Sequence, residues 1–242
     1  MTGVLHRVRL ATRRFGIDVG RWRPVLDPMQ MLGRLLVSRG ITTVVDVGAN
    51  VGDYGGELRD AGFTGRIISY EPLPGPFDEL SRRTAPDPHW DVYRYAVGDT
   101  SGMVTINIAA NTGASSSILP MLQAHSDAHP AANYVGTCQA EIRCLDELVL
   151  PLLGDNDRVF VKADVQGFER AVIDGATHLL ARAAGMQLEL SFVPLYEGGM
   201  LYREALDLTE SLGFVVMGMI PGFTDPRDGR LLQADGIFMR EN

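Results

Sequence analysis

The apolar run Val44-Val45-Asp46-Val47 passes directly into Gly48-Ala49-Asn50-Val51-Gly52-Asp53-Tyr54-Gly55, and a helical pattern follows. A strand that turns through glycines into a helix constrains a chain strongly. The glycines let the backbone reverse and approach a ligand, and the free N–H groups at the helix start suit an anionic or polar group. The spacing D-x-G-x-N-x-G departs from the G-x-G-x-x-G of a dinucleotide site, because Asn50 fills the middle position. A tight strand-to-helix turn that holds no ligand would look the same locally. Further apolar runs lie at residues 67–71, 92–97, 104–109, 142–144, 159–165, 186–193, 214–220 and 236–240. Helical patterns separate several of them; Leu201, Ala205, Leu208 and Leu212 give the clearest spacing. Strands alternating with helices predict a three-layer α/β domain with a mostly parallel sheet. The last two runs are joined by Pro221–Arg230 without a helix, which predicts an antiparallel pair.

The start of the chain reads differently. Val4, Val8, Ala11 and Phe15 fall on one helical face, and Asp27-Pro28 reads as a cap and first turn of a second helix ended by Gly40. Met31, Leu32, Leu35 and Leu36 form the expected buried face of that helix. Residues 1–40 hold eight Arg against Asp18 and Asp27, whereas the whole 242-residue chain carries a net charge of −8. The division expected is a helical extension over 1–40 and a catalytic domain over 41–242. An acidic body disfavours nucleic acid as a partner. The basic arm leaves two readings: a helix packed on the domain, or peripheral membrane contact through residues 1–20. Cys138 and Cys144 read as reduced thiols. No run is long and apolar enough for a membrane span, and the start lacks a secretory pattern, so a cytoplasmic location is expected. Asn111–Gln139 lacks a period and reads as a long loop, a lid or a surface segment.

Several side chains could carry chemistry. Glu71 ends the second strand 19 residues after Gly52, where a carboxylate can accept both ribose hydroxyl protons. Gly98-Asp99, at the end of the third apolar run, could meet an adenine amino group or form a turn. Lys162, the only lysine of the chain, and Asp164 lie two apart at the end of the fourth core strand. They could serve catalysis or simply pair, and Glu169 reads as a cap or a partner for Lys162. Glu189 lies inside an apolar strand, where an acid is costly unless paired. Ser117, His125, Tyr196 and Glu197 are candidate contacts for a second substrate, each with a plain loop or turn role as the alternative. Asp164, Glu189, Asp235 and a histidine (His125 or His129) could hold Mg²⁺, although no metal is assigned.

Taken together, DVGANVGDYG, YEP, AVGD, KADVQGFE, ELSFVPLYEG and DGIFMRE resemble the FkbM family of S-adenosylmethionine-dependent O-methyltransferases over roughly residues 41–240. The resemblance implies a Rossmann-like fold whose seven-stranded sheet ends in an antiparallel strand. It implies S-adenosylmethionine (SAM) as cofactor, with Asp46, Gly48, Ala49, Asn50, Gly52, Tyr54, Glu71, Pro72, Gly98 and Asp99 around it. It also implies methylation of a hydroxyl on a sugar or secondary metabolite, here expected in a glycolipid or glycosylated natural product. Asp164, Lys162 and Glu189 are then the expected catalytic group, with Asp164 as general base. A non-catalytic SAM-binding regulator and an NAD-dependent oxidoreductase are the alternatives.

Overall fold

The computed structural model describes residues 7–8, 11–13, 15 and 27–241. Residues 7–8 and 11–13 are helical, and Val8 and Phe15 are exposed; Val4 and most of the basic arm over residues 1–20 lie outside the described residues. The second predicted helix, α1 (Pro28–Ser38), starts where expected. The Asp27 side chain accepts from the Gln30 N–H at 3.1 Å, and Pro28 fills the first turn. Gly40 follows its end with a φ of +64°, a left-handed position that suits glycine.

The strands of the main sheet are β1 (Thr43–Val47), β2 (Arg66–Tyr70), β3 (Trp90–Tyr93), β7 (Val159–Ala163), β8 (Gly185–Ser191), β9 (Phe214–Pro221) and β10 (Gln233–Arg240). Their spatial order is β3-β2-β1-β7-β8-β10-β9. The first five pair in parallel, and β10 runs antiparallel to both β8 and β9. All five residues of β1 and of β7 are buried, as central strands covered on both faces require.

Two cores result. On one face Val44, Ile67, Trp90 and Phe160 pack with Leu32 and Leu36 of α1, Leu58 of α2 (Asp53–Asp60) and Leu80 of α3 (Pro74–Thr84). Thus α1, which the sequence assigns to the extension, buries its apolar face in the same core as β1. On the other face Val45, Ile68, Val161 and Leu188 pack with α5 (Leu145–Val149), α6 (Glu169–Asp174), α7 (Thr177–Arg182) and α8 (Tyr202–Ser211). Among the described residues no helix is long and apolar enough to cross a membrane.

Two expectations need correction. The apolar run 92–97 is not one strand. It leaves the main sheet at Tyr93, and β4 (Ala96–Val97) joins a second, three-stranded sheet in the order β4-β6-β5, with β5 at Gly102–Ala109 and β6 at Tyr134–Arg143. Asn111–Gln139 is not one loop either. It holds α4 (Gln123–Ala128) and the first residues of β6, which pair antiparallel with β5 although half-exposed and weakly patterned. This second sheet stands over the carboxyl ends of β1, β2 and β7, the position at which such sheets bind ligands.

Candidate active site

A polar ladder crosses the carboxyl end of the sheet. Register places Asp46 opposite Ser69 and Lys162, and Lys162 opposite Gln187, so these side chains share one face. Trp90 donates to the Ser69 hydroxyl at 3.0 Å, and Ser69 donates to Asp46 at 3.1 Å. The Lys162 ammonium lies 3.1 Å from Asp46, donates to the Gly48 carbonyl at 3.1 Å, and lies 3.6 Å from Asp164. Burial acts to lower its pKa, but Asp46 and Asp164 outweigh burial and raise it, so the ammonium stays charged. Asp46 is fully buried. Lys162 and Asp46 therefore brace the turn between β1 and α2 from beneath. Tyr54 belongs to the same layer: its hydroxyl donates to Gln187 at 3.1 Å and its ring lies 5.3 Å from the Lys162 ammonium.

Above this layer opens a cavity of about 230 Å³. Gly48, Asn50, Glu71 and Pro72 form one side; Tyr95, Ala96, Val97, Ile118 and Phe168 form an apolar wall; Ser117, Asp164 and Gln166 line it as well. Gly48 is held tightly. At its φ of +76°, an added Cβ would lie 1.9 Å from the Asp164 carbonyl. Glu71 is almost fully buried, and each carboxylate oxygen accepts one backbone N–H, from Asn50 at 2.9 Å and from Leu73 at 2.8 Å. A carboxylate has about four lone-pair sites, so acceptor capacity remains for hydroxyl groups. Burial pushes the Glu71 pKa up to about 7 against those two N–H groups and Lys162.

The other side of the crevice is built from distant strands. Gln166 donates through one amide nitrogen to Asp164 at 2.8 Å and to Glu189 at 3.0 Å. Gln233 donates to the same Glu189 oxygen at 2.6 Å. Burial, then the charges of Asp164, Glu169 and Asp235, raise Glu189 well above the ordinary carboxylate range. Burial and Asp164 likewise push Asp235 up to about 6. Asp164 keeps about a third of its side chain exposed, so it can be reached by a ligand. Glu169, the first residue of α6, turns inward and accepts the N–H groups of Val165 and Gly167 in the preceding loop, so it braces that loop rather than capping the helix.

The remaining predicted residues divide clearly. Gly48, Asn50, Glu71, Pro72, Ser117 and Asp164 line the cavity. Asp46, Ala49, Gly52, Tyr54 and Lys162 stand behind it; Gly52, at φ +86°, starts α2 against Leu80. Gly98 and Asp99 do not line the cavity. The backbone leaves β4 after Val97, Gly98 packs on Ile142 and Phe168, and Asp99 is solvent-exposed. Tyr196 is buried, not a face for a sugar: its hydroxyl donates to Gln166 at 2.6 Å. His125 lies behind it in an apolar cluster with Leu195 and Phe223, its pKa pushed down to about 4 by burial. Glu197 is exposed outside the cavity. Among the described residues no group of three or more His, Cys, Asp or Glu is arranged to hold a metal ion.

Sequence reasoning missed Gln166 and the wall from Tyr95 to Val97. Gln166 stood inside the quoted motif, but nothing in its residue type revealed a left-handed φ of +55°. Such a conformation costs a non-glycine residue about 1–3 kcal/mol and persists only where surrounding contacts hold it.

Residues 46–216, well over half of the chain, match the profile of the family described as "Methyltransferase FkbM domain". No curated protein matches the chain. Solved structures of similar fold include a putative RNA methyltransferase from Pyrococcus horikoshii, 14% identical over 99% of this chain and 98% of that one, with a TM-score of 0.47. Magnesium protoporphyrin IX methyltransferase from Synechocystis, with SAM bound, is 13% identical over 100% and 99% of the two chains, with a TM-score of 0.47. A 1,6-didemethyltoxoflavin-N1-methyltransferase from Burkholderia thailandensis, with S-adenosylhomocysteine bound, is 12% identical over 99% and 88%, with a TM-score of 0.46. Similarity at this level says nothing about the acceptor of this chain. The family match covers the turn after β1, Glu71 and the β7 motif together, and the chain therefore belongs to the FkbM methyltransferase family, whose cofactor is S-adenosylmethionine.

Proposed function

We propose that this methyltransferase transfers its methyl group to a hydroxyl, on a sugar of a glycolipid or glycosylated natural product. The observation that carries the proposal is the pairing of a reachable Asp164 carboxylate with Glu189 through Gln166, next to the cavity that contains Glu71.

The residues of that cavity fit the cofactor. Glu71 has free acceptor sites for ribose hydroxyls, and the Tyr95–Val97 wall and Phe168 suit a flat base. SAM supplies a methyl group that is already activated. The protein's part is to hold an acceptor oxygen in line and to take its proton. Asp164 is the group for that step. One of its oxygens is fixed by Gln166, and the other lies on the Lys162 side, 3.6 Å from the ammonium. The acceptor oxygen bonds to the methyl carbon as the carbon–sulfur bond breaks, and the hydroxyl proton passes to Asp164. Glu189 and Asp235 provide polar groups suited to neighbouring hydroxyls.

The test is incubation of the protein with SAM and fractionated glycolipids, with products read by mass spectrometry. A product heavier by one CH₂, sensitive to glycosidase treatment, supports the reading. SAM binding without a methylated product from any glycosylated fraction would sink it in favour of a binding protein or a different acceptor. A lipid-linked acceptor would be met at a membrane surface through residues 1–20. Deleting them should then lower binding to anionic vesicles and leave SAM affinity unchanged; equal vesicle binding would remove the membrane part of the proposal.

A further inference from the structure

Gln166 is the point at which the two sheets meet the crevice carboxylates. Its amide nitrogen has two hydrogens, one directed to Asp164 and one to Glu189. Its amide oxygen accepts the Tyr196 hydroxyl, and its backbone carbonyl accepts the Ser117 hydroxyl at 2.7 Å. Ser117 in turn bridges to Asn107 of β5. Every polar atom of the side chain is engaged. The amide has one orientation compatible with two carboxylates, nitrogen toward them and oxygen toward Tyr196. The left-handed backbone of Gln166 points the side chain this way, and the next residue, Gly167, packs against Tyr196.

We propose that Gln166 is the positioning residue of the transfer step: it holds Asp164 and Glu189 at a fixed separation and fixes one oxygen of Asp164, leaving the other to receive the acceptor proton. This rests on the reading of Asp164 as proton acceptor. Tyr196 and Ser117 act through Gln166, so the second sheet sets the aim of the base without touching it. The charged and titratable groups around Glu189 are Asp164, Glu169, Asp235, Lys162 and Tyr196. Gln233 also donates to Glu189, but Gln166 is the group that gives an N–H to both carboxylates. An N–H donated to a carboxylate favours its charged form.

The experiment needs no acceptor. Protein labelled with ¹³C at the glutamate carboxyl carbons is titrated by NMR, with the Glu189 signal assigned by its loss in Glu189→Gln. In Gln166→Met, which keeps volume and removes the donors, Glu189 should titrate at higher pH than in the wild type. In Gln166→Glu, which keeps the shape and adds an acid, the Glu189 titration should move further upward. If Gln166 only fills space, Gln166→Met would leave the Glu189 titration at its wild-type position, and that result would overturn the proposal. Should Gln166→Met fail to fold, Tyr196→Phe removes only the contact that orients the amide. It should move Glu189 in the same direction by less, and an unchanged titration counts against the proposal. Where a methylated product is available, kcat of Gln166→Met should fall, because Asp164 has lost the N–H that fixes one of its oxygens. A wild type that transfers no methyl group would end the parent reading, yet the titration would still decide the role of Gln166.

Discussion

Glu71 is a buried acid and Glu189 a half-buried one, both near the ends of parallel strands, and desolvation raises both. Their partners differ in kind. Glu71 is held by backbone N–H groups, one from Leu73 two residues on and one from Asn50 of the neighbouring turn. Glu189 is held by the side chains of Gln166 and Gln233, from a loop after β7 and from β10. The donor half of the crevice is thus built from main chain that two adjacent β–α units supply. The acceptor half is built from side chains that only the complete sheet brings together. Backbone donors serve a cofactor common to a whole family, and side-chain donors leave the acceptor half open to change by substitution.

The comparison can be broken by variants on either side. Asp164→Asn should have the largest effect, lowering kcat by about 10²- to 10⁴-fold, the range for loss of a general base. Its SAM dissociation constant should stay within about threefold, because the residue belongs to the acceptor half. An equal loss in both quantities would merge the halves. Glu71→Gln should act the other way. Loss of hydrogen bonds to a charged group, each worth about 1.5–3 kcal/mol, should weaken SAM binding by about ten- to a hundredfold in calorimetry. The saturated rate should change little.

Glu71 also predicts a pH dependence. With its pKa near 7, the carboxylate is mostly ionised at pH 8 and mostly protonated at pH 6. Protonation removes acceptor sites and negative charge, so SAM affinity should fall as pH drops from 8 to 6, and Glu71→Gln should flatten that slope. The smallest effect is expected from Tyr196→Phe. One hydrogen bond of about 1 kcal/mol corresponds to a several-fold lower kcat with unchanged SAM affinity.

The same contrast explains what could be read from the sequence. The donor half lies in contiguous motifs, so the strand–turn–helix around Gly48 and the acid at Glu71 were visible as letters. The motif did not separate ligand-facing residues from bracing ones: Asp46, Tyr54 and Lys162 share the polar character of Asn50 but sit a layer beneath it. Asp164 could be found from strand periodicity. Gln166 could not, because its role depends on a left-handed φ and on Tyr196, thirty residues away. His125 and Tyr196 looked like substrate contacts because polarity in a loop suggests a surface, whereas both are buried in a small cluster. The helix at Pro28–Ser38 was legible from its cap and spacing. Its place in the core was not, since Leu32 and Leu36 meet residues more than a hundred positions away. The run 92–97 hid a change of sheet because both ends are apolar and nothing in the letters marks the switch.

The claim that a hydroxyl is the acceptor is tested most directly by the identity of the atom that receives the methyl group. The protein would be incubated with SAM carrying a ¹³C-labelled methyl group and a glycolipid extract, and the labelled product examined by ¹³C NMR. The predicted result is a single methoxy carbon correlated with a sugar-ring carbon, absent in Asp164→Asn. A labelled methyl group on nitrogen or on carbon would contradict the account.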